Sequence, residues 1–128
     1  MTERLEAEVG LLRKVGWEVN TDPESQWVIV KDVPLVTGWN RSETDVLIKI
    51  PPGYATTPPD NFYTVADLRL ANGSKPGSTA QEEAIAGRTW LTFSFHVEDG
   101  WDPHADPEKG HNLVTYLDAV RKRLSEAN

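Results

Sequence analysis

The chain has 128 residues, of which 38% are hydrophobic and 26% charged, and its formal net charge at pH 7 is -7. This composition predicts one globular domain over residues 1–128, and the negative charge argues against binding to nucleic-acid phosphates. Because the chain has no cysteine, it cannot form a disulfide, a thiolate metal site or a thioester. No membrane span or signal peptide is evident, so we expect a cytoplasmic protein that binds no membrane.

The first predicted element is a helix that Thr2 caps and Gly16 ends. Its apolar positions recur at helical spacing, which predicts one buried stripe formed by Leu5, Val9, Leu12 and Val15.

Three runs that are typical of strands follow the helix. They are "GWEVN" at 16–20, "QWVIVKDVPL" at 26–35, which stops at Pro34, and "ETDVLIKI" at 43–50. Because turn residues separate these closely spaced runs, we expect an antiparallel meander.

Residues 51–70, "PPGYATTPPDNFYTVADLRL", contain two Pro-Pro pairs. Proline cannot continue a helix or occupy a central strand, so this segment is predicted to be a stiff, extended loop. Residues 71–88 are predicted to be a flexible loop with one helical turn from Gln81 to Ala86.

A fourth strand is predicted in "TWLTFSFHVEDGWDPH", at 89–104. A period of two places Leu91, Phe93, Phe95 and Val97 on a buried face. The opposite face is then predicted to be exposed to water and to carry Trp90, Thr92, Ser94 and His96.

The last predicted element is a helix that Asn112 caps. Its buried stripe comprises Leu113, Tyr116, Leu117, Val120 and Leu124. The predicted fold class is therefore α+β: an N-terminal helix, a four-stranded antiparallel meander, a long Pro-rich loop and a C-terminal helix, with the helices against one face of the sheet.

Residues 50–64 resemble the ubiquitin-conjugating-enzyme fold, in which a Pro-Pro loop precedes a phenylalanine. Tyr54, Pro58, Pro59 and Phe62 match that pattern, whereas Ala55 stands where the family usually has proline. A closer resemblance is to the prokaryotic conjugating-enzyme-like family E, through "GWNRSETDVLIKIPPGY", "PPDNFY", "SFH", "GWDP" and "LVTYLDAVRKRL". This resemblance runs from Leu11 to Leu124 and implies a bacterial conjugation pathway, with an activating enzyme and a ubiquitin-like modifier as partners and no cofactor.

The chain departs from that superfamily at the catalytic position, because it has neither the usual cysteine nor the His-Pro-Asn motif. Counting back from Trp101 places the missing cysteine between Trp90 and Ser94. If acyl transfer persists, a hydroxyl must replace the thiol. We predict Ser94 as nucleophile, with Thr92 and Thr89 as alternatives, and His96 or His104 as its base.

Three further residues are candidates for binding a partner: Tyr54 in the Pro-Pro segment, and Trp101 and Asp102 in "GWDP". A rival interpretation is a metal site built from His96, His104, His111, Asp99, Asp102 and Asp106, but their spacings match no metal-binding motif, and we predict no metal.

Two functions remain open from the sequence. The first is a noncanonical conjugating enzyme that carries the modifier as an oxyester on a serine. The second is a non-catalytic binding module, similar to the RWD domains of the same superfamily. The missing cysteine nucleophile favours this second function. A third interpretation of the Ser94 face is simply a polar sheet surface.

Overall fold

The computed structural model describes residues 2–97 and 100–128, and it is an α+β fold, as predicted. Two helices, α1 (Glu3–Val15) and α2 (Leu113–Leu124), flank the strands in sequence. The strands are β1 (Val19–Thr21), β2 (Trp27–Pro34), β3 (Glu43–Lys49), β4 (Phe62–Val65), β5 (Thr79–Ile85) and β6 (Arg88–Phe93). Neither helix in this part of the chain has the length and apolar character needed to cross a bilayer.

All six strands form one antiparallel sheet in the order β1-β2-β3-β4-β6-β5, so the sheet has two strands more than the four predicted. The first addition is β4, which lies in a segment predicted to be loop. The second is β5, where the predicted helical turn from Gln81 to Ala86 is wrong. Ala86 and Gly87 both have positive φ and form the two-residue turn that pairs β5 with β6.

Both helices pack against one face of the sheet and bury most of their predicted stripes. The α2 stripe is confirmed at all five positions. In α1, Leu5, Val9 and Leu12 are buried, but the prediction for Val15 is wrong, because its side chain is 65% exposed. The charged residue Glu8 is buried in α1 instead. Thr2 and Asn112 cap the helices as predicted.

The opposite face of the sheet carries a second, smaller apolar cluster of Ile29, Leu47, Tyr63 and Trp90. The prediction of an exposed Trp90 is therefore wrong, since its side chain is fully buried. Its indole Nε1 donates to the carbonyl of Ile85 at 2.9 Å, and the Arg88 guanidinium lies over the ring at 4.3 Å. These two contacts close the cluster against water.

Asp45 ties three strands together beside this cluster. Burial alone would raise the pKa of its carboxyl, but hydrogen bonds from Lys31, the Asp32 N–H and Arg88 outweigh burial and hold the pKa below its usual value. A carboxylate with a lowered pKa stabilises the fold fully above its unfolded-state pKa, and this contribution is lost as pH falls through the folded-state value.

We therefore expect Asp45→Asn to lower the free energy of unfolding by about 1–3 kcal/mol at pH 7. The difference from the unsubstituted protein should shrink as pH falls below about 4. Urea denaturation at a series of pH values measures both effects. Asp67→Asn is the matched control, because the Asp67 side chain is 75% exposed and, within the described residues, its one ion pair is with Arg41. A difference that is independent of pH would contradict this role of Asp45.

Candidate functional site

The candidate site lies where β4 and β6 stop pairing. Phe62 and Phe93 form the last residue pair at this end of the two strands. Asn61, which precedes Phe62, and Ser94, which follows Phe93, lie just beyond that pair. Ser94 is exposed, and its N–H donates to the Ser78 carbonyl at 2.8 Å. Its hydroxyl has no hydrogen-bond partner among the described residues, so it is accessible to an incoming group.

His96 is also exposed, and its partner is a residue that sequence reasoning missed. The Nδ1–H of His96 donates to the Oδ1 of Asp60, in the segment after the second Pro-Pro pair. This contact leaves Nε2 as the nitrogen of the ring that can exchange a proton with a substrate. An imidazole held by a carboxylate through Nδ1 is the arrangement that general bases use in acyl transfer.

Asn61 fixes Asp60 next to His96. Its N–H donates to the Phe95 carbonyl at 2.8 Å, and its side-chain Oδ1 accepts the Phe95 N–H at 3.2 Å. The Tyr116 hydroxyl donates to the Asn61 carbonyl. Asn61 has φ of 62°, a conformation that asparagine tolerates better than most residues. Three contacts thus join the Pro-Pro segment, residues 94–97 and α2.

Trp101 forms one wall of a cleft next to His96. Its indole Nε1 donates to the Ala55 carbonyl at 2.8 Å, and its ring stacks on His111 and meets Tyr116 edge-on. The cleft has a volume of about 360 Å³ and is lined by His96, Val97, Gly100, Trp101, His111, Thr115, Tyr116 and Ala119. A side chain from a partner could therefore reach His96 along the Trp101 ring.

Tyr54 packs beside Trp101, with 6.3 Å between ring centroids, and its hydroxyl donates to the buried Glu8 carboxylate. Burial and then this hydrogen bond raise the pKa of Tyr54 above its usual value. Because the hydroxyl is already engaged, Tyr54 contributes its ring to the site.

Glu8 joins three segments beneath the site. Besides Tyr54, its carboxylate accepts the backbone N–H of Leu113 at 2.7 Å and the Nε–H of Arg4 at 2.7 Å. The N–H of Leu113 belongs to the first turn of α2, where the helix dipole favours a negative charge. Sequence periodicity places Glu8 beside the apolar stripe, and this was the available signal for its burial.

His104 and Asp102 lie in the loop before α2. The carbonyl of His104 accepts from Arg4, and its Nδ1 accepts the Asp106 N–H at 2.9 Å. The N–H of Asp102 donates to His111 Nδ1 at 2.8 Å. Through these contacts both residues shape the loop, whereas His96 and Trp101 line the cleft and Ser94 lies exposed two residues before His96. Thr92 is buried, and Thr89 lies at the opposite end of β6.

The histidines and acids of the rival metal interpretation do not form a metal site in the described ranges, 2–97 and 100–128. No group of three or more His, Asp or Glu side chains is placed there to hold an ion. Asp99, which that interpretation included, lies outside the described residues.

A comparison with known protein families shows which family the chain belongs to. The family model described as prokaryotic E2 family E matches residues 8–127, which is nearly the whole chain. The protein belongs to this family. No curated protein and no solved structure matches it.

Membership of prokaryotic E2 family E confirms the resemblance drawn from the sequence and indicates a role in a conjugation pathway. The family match and the absence of cysteine are consistent with each other only if this member works without a thioester. Ser94 lies at the end of the stretch where the cysteine was expected, and His96, which Asp60 contacts from the Pro-Pro segment, follows two residues later.

Proposed function

We propose that this protein is a noncanonical conjugating enzyme of a bacterial ubiquitin-like pathway, which carries its modifier as an oxyester on Ser94. The observation that supports the proposal most is the His96–Asp60 pair two residues from an exposed serine, in a cysteine-free member of a conjugating-enzyme-like family. An activating enzyme would deliver the modifier.

In the first step, Ser94 Oγ attacks the carbonyl carbon at the C-terminus of the activated modifier. The thioester bond from that carbon to the activating enzyme breaks, and His96 Nε2 takes the serine proton and passes it to the departing sulfur. In the second step, an acceptor amine attacks the oxyester, and His96 Nε2 takes the amine proton and passes it to the departing Oγ. Asp60 holds the imidazole in the tautomer that both steps require.

The distance between the two side chains sets one condition. Ser94 and His96 are two residues apart, which separates their Cα atoms by about 6.5 Å in an extended chain. Backbone hydrogen bonds hold Ser94 to Ser78 and Phe95 to Asn61, so the serine hydroxyl would approach Nε2 by rotation of the two exposed side chains when a modifier binds.

The test is to incubate the protein with its activating enzyme, the modifier and ATP, and to look for a covalent adduct by electrophoresis and mass spectrometry. We expect an adduct that resists thiols, is cleaved by mild base and disappears in Ser94→Ala. Asp60→Asn and His96→Ala should slow its formation by about 10²–10⁴-fold, the usual contribution of general base catalysis. Thr89→Ala is the control and should leave adduct formation unchanged.

The non-catalytic binding module is the second candidate, and the missing thiol is the observation that favours it. Stoichiometric binding of the activating enzyme or the modifier with no adduct would establish this function and overturn the oxyester. An adduct that persists in Ser94→Ala would also overturn the role of Ser94.

A further inference from the structure

The C-terminal ends of α1 and α2 form a surface that neither the fold nor the candidate site explains. The guanidinium of Arg121 lies 5.1 Å from the ring centroid of Trp17, which follows α1, so the two helix ends are adjacent. We call this surface the helix-end patch, and it comprises Trp17, Val36, Arg121 and Lys122.

The patch includes Val36, which is one of two large hydrophobic side chains exposed in the described part of the chain and has 46% exposure. The other is Val15, the last residue of α1. Val36 borders a cleft of about 280 Å³ whose other lining residues are Pro34, Asp118, Arg121, Lys122, Leu124 and Ser125. Single exposed hydrophobics are ordinary, but an exposed valine that borders a cleft, whose Arg121 also covers a half-buried tryptophan, favours a contact surface.

The same surface carries cations that the structure leaves without an acidic partner. In residues 2–97 and 100–128, Arg121 and Lys122 form no salt bridge. Both lie in the last turn of α2, where the helix dipole favours cations, and without a carboxylate partner in the described residues their charges stay available to a partner protein. Asp118 is the one acid that lines the cleft.

We propose that the helix-end patch docks a partner protein through a segment in which an aliphatic side chain is flanked by carboxylates. The aliphatic side chain would enter the cleft at Val36, and the carboxylates would meet Arg121 and Lys122. This proposal is independent of the chemistry at Ser94.

Charge and size decide this class of partner over others. A volume of 280 Å³ is below the usual size of small-molecule sites but accommodates one aliphatic side chain. A net charge of -7 disfavours nucleic acid and anionic membranes, which repel the rest of the surface. The negative net charge would also repel an acidic protein segment from most of the surface. At the helix-end patch, however, Arg121 and Lys122 would attract the carboxylates of that segment.

The test uses a phage-displayed library of random dodecapeptides selected on the intact protein, with removal of phage that bind Arg121→Glu/Lys122→Glu. We expect the selected peptides to be enriched in Asp and Glu around Leu, Ile or Val. Fluorescence anisotropy of the synthetic peptides should show at least a tenfold weaker Kd for Arg121→Glu/Lys122→Glu and for Val36→Asp.

Lys75→Glu/Lys109→Glu is the matched control, because both lysines are exposed outside the patch, and its Kd should stay within twofold. Equal binding to the charge-reversed protein, or a selected set that is not acidic, overturns the proposal. The proposal is also overturned if the protein cosediments with phosphatidylserine vesicles and Arg121→Glu/Lys122→Glu abolishes this cosedimentation, since that result assigns the patch to a membrane. The substituted side chains are exposed, so thermal melting of each variant should match the parent protein.

Discussion

Replacing Glu8 with alanine is expected to lower the free energy of unfolding by about 3–5 kcal/mol, because it leaves buried partners without their acceptor. Glu8 is fully buried, and its carboxylate accepts from Arg4, Tyr54 and the Leu113 N–H. The loss of hydrogen bonding would be greatest for Arg4, since its buried Nη2 already has no partner among the described residues. Urea denaturation followed by circular dichroism measures the change.

Glu6→Ala is the matched control, because Glu6 is an exposed acid on the same helix, and it should change stability by less than about 0.5 kcal/mol. Glu8→Gln should fall between the two, since the amide carbonyl still accepts hydrogen bonds but no longer carries the charge that Arg4 requires. If Glu8→Ala were as stable as Glu6→Ala, the carboxylate would not hold the three segments together.

Replacing Trp90 with alanine is expected to cost about 3–5 kcal/mol, the range for removing a buried aromatic side chain from a packed cluster. The indole is fully buried on the outer face of the sheet and donates to Ile85. Its loss would also uncover Tyr63 and Leu47, because in the described part of the chain this cluster is made of strand residues alone.

Thr89→Ala provides the comparison for Trp90, because Thr89 precedes it in β6 and is exposed. Its effect on unfolding should be within about 0.5 kcal/mol. Because Trp90→Ala removes one of the fluorescent side chains, tryptophan fluorescence would not compare the two variants fairly. Chemical denaturation of Trp90→Ala and of Thr89→Ala should therefore be followed by circular dichroism. A cost near 1 kcal/mol for Trp90→Ala would mean that Arg88 and the neighbouring side chains close the gap.

The helices were predictable from sequence because their caps and apolar spacing are local signals. Asn112 caps α2, and the five buried positions of this helix all follow the 3.6-residue period. Val15 broke the pattern in α1, because Gly16 ends the helix directly after it and the chain turns away at Trp17.

The strands were harder to predict because long-range pairing decides them. The segment Thr79–Ile85 has five consecutive residues, Ala80 to Ala84, with good helix propensity, yet it pairs with β6 across the Ala86–Gly87 turn. Trp90 was assigned to an exposed face because alternation identifies two faces of a strand and does not reveal that both are covered. The cover on the outer face comes from Arg88 and from strands far away in sequence.

The site was predictable only in part for the same reason. Ser94, His96 and Trp101 stand out as reactive or aromatic residues in one stretch. Asp60 and Asn61 lie more than thirty residues earlier in a segment that looked like a proline-rich connection. Their roles depend on the register of β4 against β6, which no local pattern in this chain discloses.

The contact between Glu8 and Leu113 spans 105 residues, so it forms only after distant parts of the chain have met. We therefore expect the docking of α1 to be coupled to the docking of α2, because each contributes a polar group that the other satisfies. A fragment that ends before Leu113 should leave the apolar stripe of α1 uncovered and should aggregate more readily than the whole chain.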